Sequence, residues 1–298
     1  MTRRRSKVPH RQATRRVPAL QAVGRDGASE RVGRGAGLEG VARGSNVVEV
    51  AFGEDVGLTE AIVPIAREAV RVVGMARSAL AAEQAVSHLL GMADQAAPPE
   101  ATDQDRAAAR DDLLGGLIAW AVADASPAAL AFLRVAAVLG ETSTRDAAAA
   151  AAERLAAAGV TDRRWAAVVG RPRLVRAWWY GDAFGVQESV NLLFDYNHRE
   201  HCVCVLIDHQ LGGGVKDCWI AEGRAATGLP ARMSAMMADR PEAGFGDIDA
   251  ARAVEVLHAS LAQPACPEQP DQIEDVAANL EILRARVSLI AQEPSRYR

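Results

Sequence analysis

The chain reads as an α+β protein, predominantly α-helical: an antiparallel helical array, a small three- to four-stranded antiparallel β-meander and a C-terminal helical segment. Three observations lead there. Alanine-rich segments with apolar residues at helical spacing fill residues 46–172 and resume after 223, and alanine gives up no side-chain entropy on entering a helix. Between them, residues 173–223 switch to period-2 alternation rich in β-branched residues, the pattern of half-buried strands. Caps, prolines and glycines punctuate the helical parts at intervals of 12–20 residues, which suits antiparallel neighbours with short links.

In chain order, NVVEVAF (46–52) reads as a lead-in strand. Residues 59–92 carry Ile65, Ala69, Val72, Ala76, Leu80, Val86 and Leu90 on one helix face. A second helix starts near Thr102, with Asp105 three residues on, as in a capping box. A third has Ser126 as N-cap and Pro127 at its first position, with Gly140 beyond its end. A fourth runs from a cap at Ser143 to Gly159, and a short fifth, capped by Thr161, carries Trp165. In 186–196, Val190, Leu192, Phe194 and Tyr196 share a face; in 201–209, Val203, Val205 and Ile207 do, opposite Cys202, Cys204 and Leu206. A hairpin closed around Asn197–Glu200 follows, with VKDCWIAE (215–222) as the next strand. Helices resume at 229–241 and again from an N-cap at Asp249. The last opens at Pro270, with Ile273, Val276, Leu280, Leu283, Val287 and Ile290 spaced 3, 4, 3, 4, 3, an a/d seam of three heptads. Domain organisation follows: a basic Arg-rich tail (1–45) read as disordered, a helical region (46–172), the meander (173–223) and a C-terminal helical segment (224–298), with 46–298 as one unit.

The net charge of −4 hides an asymmetry. Residues 1–45 hold eleven Lys/Arg against three acids, +8, and the remainder 23 against 35, −12. An acidic body is a poor platform for nucleic acid, so contact of that kind is expected only through the tail. No apolar run approaches the roughly 20 residues a membrane span needs, and TRRRSK (2–7) lacks the apolar stretch of a signal peptide. A cytoplasmic protein without membrane association is expected. Four cysteines, three of them within 202–218, do not resemble a secreted disulfide framework.

CVLIDHQLGGGVKDCWIAEG (204–223) holds the candidate site. Asp208 and His209 end one strand, Gly212, Gly213 and Gly214 form the connection, and Lys216 and Asp217 start the next strand. Lys7 and Lys216 are the chain's two lysines, in a composition that otherwise uses arginine for its cations. With Glu188 and Asp195 on the partner strand, these groups have the inventory of a metal-assisted hydrolase acting on phosphodiesters. Asp208 and Asp217 would hold a divalent metal, Lys216 would stabilise developing charge, and His209 would act as base or third ligand. The glycines would form a ligand-binding loop through their backbone N–H groups, although GGGVKD is not a Walker A sequence. The plain structural alternative is a strand–turn–strand whose glycines supply positive φ. Cys202, Cys204 and Cys218, with His198, His201 and His209, raise zinc as a second metal option, but CxC along a strand turns two thiolates to one ion less readily than a CxxC knuckle. Trp178, Trp179 and Tyr180 read as sheet core, as does the stripe of Met233, Met236 and Met237.

No catalytic triad, HExxH or dinucleotide fingerprint is present. The favoured reading is a non-catalytic interaction or regulatory protein with no required cofactor. It would bind an unidentified protein partner or associate with itself through the 273–290 seam, which could equally pack within the chain. The alternative is the hydrolase at 208–217.

Overall fold

A computed structural model describes residues 58–98 and 100–292; the tail at 1–45 and the lead-in strand at 46–52 lie outside the described residues. The expected α+β, mainly helical architecture is what the chain adopts: eight α-helices and one five-stranded antiparallel sheet among the described residues.

The apolar stripe over 59–92 belongs to two helices, α1 (Leu58–Met75) and α2 (Ala79–Ala96). Ser78 separates them, its hydroxyl accepting from the Ala81 N–H at 3.2 Å. That cap was hidden inside a continuous periodicity. Helix α3 (Asp103–Asp124) opens with the Thr102–Asp105 capping box, and α4 (Pro127–Ala136) with Ser126 and Pro127, both as expected. Helix α5 (Thr142–Ala157) begins one residue before Ser143. Ser143 does not cap it, because the hydroxyls of Ser143 and Thr144 turn instead to Asp111 on α3. The fifth helix expected at 161–169 is a run of turns. Its N–H groups reach back three residues (Ala166 to Arg163, Val168 to Trp165), and the Trp165 indole donates to the Ala76 carbonyl at 2.9 Å. Trp165 is thus anchored to the end of α1 and needs no helix of its own.

The strands are β1 (Arg173–Asp182), β2 (Gln187–Asp195), β3 (Glu200–Asp208), β4 (Gly214–Glu222) and β5 (Ala243–Asp247). Their order is β4-β3-β2-β1-β5. Asn197 and His198, at φ 50° and 70°, close the β2–β3 hairpin with the left-handed pair that matches strand twist. The fifth strand corrects the expectation of three or four. Its sequence, AGFGD, lacks β-branched residues; it pairs antiparallel with β1, and its glycines leave room for Trp179, since a Cβ at Gly244 would sit 2.8 Å from that indole.

Around the sheet stand α6 (Gly223–Ala238), α7 (Ala250–Leu261, capped by Asp249) and α8 (Pro270–Gln292). Alternation sends Val190, Leu192, Phe194, Val203, Val205 and Ile207 to the face covered by α7 and α8. Trp178, Tyr180, Cys202 and Cys204 go to the face covered by Met233 and Met237 of α6. Helix α8 packs on β4 with one side and on α2 with the other, so it sits between sheet and bundle. Its heptad seam is spent there: Val276, Leu283, Val287 and Ile290 are buried in the chain's own core, and only Ile273, 42% exposed, faces outward. Self-association through 273–290 would require that core to open; the seam holds the chain's own sheet. No helix among the described residues is long and apolar enough to cross a membrane.

Candidate functional site

Backbone demands shape the β3–β4 connection. Asp208 caps a single 3-10 turn, His209–Leu211, its Oδ1 accepting from the N–H groups of Gln210 (3.0 Å) and Leu211 (3.2 Å). Gly212 and Gly213 follow at φ 99° and 81°, where an L side chain would be strained. Gly214 serves another end. A Cβ there would lie 1.9 Å from the Pro264 carbonyl oxygen, because the α7–α8 linker runs along β4, with the Cys266 N–H donating to Val215 at 2.9 Å. The linker thereby covers the edge of the sheet.

Lys216 is the extra residue of a β-bulge, since Val215 pairs with Ile207 and Asp217 with Leu206. Its ammonium reaches Asp208 Oδ2 at 2.8 Å and Glu268 Oε2 at 2.7 Å, and Gln187 Nε2 donates to the same Asp208 oxygen at 2.6 Å. Burial alone would raise the pKa of Asp208; the hydrogen bonds from Lys216 and Gln187 outweigh it and hold the carboxyl below its usual range. For Lys216, burial pulls down and the bonds to Asp208 and Glu268 push up, leaving the pKa raised. Both groups are therefore charged at neutral pH, and an ammonium clasped by two carboxylates is neither nucleophile nor base. Lys216→Ala strands the buried Asp208 carboxylate and is expected to cost about 3 kcal/mol in urea unfolding; a loss below about 1 kcal/mol would show that the clasp is not structural.

The other predicted groups stand apart from this pair. His209 Nε2 meets Glu188 Oε1 at 2.9 Å on the exposed rim. Asp217 is wholly buried. Asp195 lies at the opposite end of β2, paired in register with Glu200. The Cys202 and Cys204 sulfurs are 3.5 Å apart on the α6 face, whereas Cys218, also buried, lies on the opposite face of the sheet. Burial pushes the Cys204 and Cys218 thiols well above their usual range, which favours protonated thiols over metal-binding thiolates. His201 faces the same side of the sheet as Cys218, against Phe194 and Tyr196. Among the described residues no three His, Cys, Asp or Glu side chains are grouped to hold a metal ion.

A polar cluster that the sequence reading missed lies at the junction of bundle and sheet. Glu83 of α2 and Arg286 of α8 are both 0% exposed, with Arg286 Nη2 at 2.5 Å from Glu83 Oε2. The Tyr196 hydroxyl donates to Glu83 Oε1 at 2.7 Å, and the Gly170 N–H donates to the same oxygen at 3.0 Å. The guanidinium lies over the rings of Phe194 (5.6 Å) and Tyr196 (5.3 Å). Burial opposes the charge on Arg286, and Glu83 more than restores it. A signal was there to find: Glu83 stands in the apolar stripe between Leu80 and Val86, and Arg286 between Leu283 and Val287.

His201 belongs to the same cluster, 1% exposed and stacked on Phe194 and Tyr196 at centroid distances of 5.6 and 5.4 Å. Burial first, and the Arg286 charge second, depress its pKa well below 6.5. The folded state refuses a proton that the unfolded chain accepts, so its stability is intact above about pH 6.5 and falls as pH drops below it. The urea midpoint is expected to decline between pH 7 and 5, and His201→Phe to flatten that decline. An identical slope in the variant would assign the effect to other groups.

Compared with protein-family models, with curated proteins and with solved structures, the chain matches none.

Proposed function

We propose that this chain is a non-catalytic interaction or regulatory protein, working by contact and not by chemistry of its own. The observation that carries the reading is the clasp of Lys216 by Asp208 and Glu268, which uses up in structure the groups a hydrolase would need free. A shared metal between Asp208 and Asp217 has no comparable support, since Asp208 is occupied by Lys216 and Gln187 and Asp217 is shut off from solvent.

The contact surface we assign to this end of the sheet is built on two adjacent turns. Phe184, 68% exposed, projects from the β1–β2 turn, and Leu211, 46% exposed, from the β3–β4 turn. The two turns are joined by the His209 N–H donating to the Val186 carbonyl at 2.9 Å. Asp182 fixes the first by accepting from the N–H groups of Phe184, Val186 and Gln187, so the aromatic ring is presented on a rigid support. Exposed aromatics on such supports act as anchors in protein interfaces.

A photo-crosslinking residue placed at 184 in the full chain tests this in the cells that express it, with Ala150 on α5 as the control position. A discrete adduct from 184 and none from 150 is expected, at twice the chain mass for self-association and at another mass for a different partner. Equal adducts from both positions, or none from 184, would count against the proposal.

A further inference from the structure

Away from the sheet end, a cleft of about 360 Å³ opens between the α4–α5 connection, the last turn of α7 and the outer side of α8. Its volume lies at the lower end of the range for small-molecule sites. Arg145 comes from the first turns of α5, His258 from α7 and Arg284 from α8, three cationic or N–H-donating side chains from separate elements. Leu261, Ala262 and Ala285 supply apolar wall between them.

Of the two carboxylates in the lining, Glu281 is already matched: it is held by Arg284 at 2.5 Å and approached by Arg110 at 3.7 Å. Arg145 is different. Its Nη2 donates to the Thr142 hydroxyl at 3.1 Å, and it forms no ion pair with any described residue, although the body of the chain is acidic. A guanidinium presents a planar fork of donors that fits carboxylate and phosphate oxygens, and here the fork lines a concavity with an apolar side. We propose that the cleft binds a small molecule carrying one carboxylate or phosphate group on an apolar body, with Arg145 as the main anion contact, Arg284 adding the guanidinium N–H groups that Glu281 does not take, and Leu261 and Ala285 packing the body. The proposal does not depend on the contact surface at Phe184 and Leu211.

Titration of the ¹⁵N-labelled full chain with benzoate and with phenyl phosphate, at matched ionic strength, tests it. Saturable amide shifts are expected within 138–145, 258–262 and 281–288, and the probe that saturates at lower concentration names the anion class. Arg145→Gln and Arg284→Gln should each weaken binding about tenfold or more, the loss of one charge-assisted contact. Arg154→Gln, on α5 but outside the cleft, should bind as wild type. If Arg284→Gln unfolds by freeing Glu281, the partly exposed Arg145 carries the comparison alone. No saturation by either probe at millimolar concentration, or equal weakening by Arg154→Gln, would overturn the assignment.

Discussion

Glu83→Ala is expected to cost about 3–5 kcal/mol of folding stability. The reason lies in what stays behind. Arg286 is wholly enclosed, and without Glu83 its charge remains buried with no carboxylate to offset the desolvation. The Tyr196 hydroxyl and the Gly170 N–H also lose their shared acceptor oxygen, each a smaller term of about 1 kcal/mol. Replacing both charges, Glu83→Leu with Arg286→Met, is expected to recover most of the loss, because it removes the stranded charge as well as the pair. Urea unfolding of the two single variants and the double decides it. If the double is as unstable as the worse single, the cluster is held by geometry and not by charge balance.

Gly91→Ala is expected to destabilise although it improves helix propensity. Glycine costs about 1 kcal/mol in a helix relative to alanine, so on α2 alone the change would help. A Cβ at position 91, however, would sit 1.9 Å from the Ala277 carbonyl oxygen of α8. That neighbour is backbone and cannot rotate away, so α8 must shift against both α2 and the sheet. Overpacking of this kind costs about 3 kcal/mol at its upper range, leaving a net loss of about 2 kcal/mol. Gly115 on α3 has nothing within 4 Å of its would-be Cβ, and Gly115→Ala is expected to stabilise by up to about 1 kcal/mol. Opposite shifts in the two melting temperatures are the result to look for; a gain at both positions would mean that α2 and α8 are less closely packed than described.

Much of this fold was legible in local pattern. Period-2 alternation placed Val190, Leu192 and Phe194 on the inner face of β2 and Val203, Val205 and Ile207 on that of β3, and both sets are buried there. Caps at Thr102, Ser126 and Asp249 were read correctly because each acts within three residues of itself. What escaped was whatever depended on a distant partner. Strand β5 pairs with β1 and packs its glycines under Trp179, some 65 residues away in sequence order. Ser143 failed as a cap because Asp111 of α3 takes its hydroxyl. In the candidate site, spacing alone brought Asp208 and Lys216 together correctly, but Glu268, which completes their clasp, lies in the linker far downstream. The Glu83–Arg286 pair joins positions 203 residues apart, beyond any local signal except the oddity of a charge in an apolar stripe.

That separation also bears on the order of assembly. Chains leave the ribosome N-terminus first, so α2 and all five strands are synthesised before α8, the helix both of them pack against. Until it docks, Glu83 lacks Arg286 as its counter-ion, and the part of the β2–β3 inner face that α7 leaves uncovered stays apolar and open. A nascent chain stalled before residue 270 is therefore expected to be a client for chaperones.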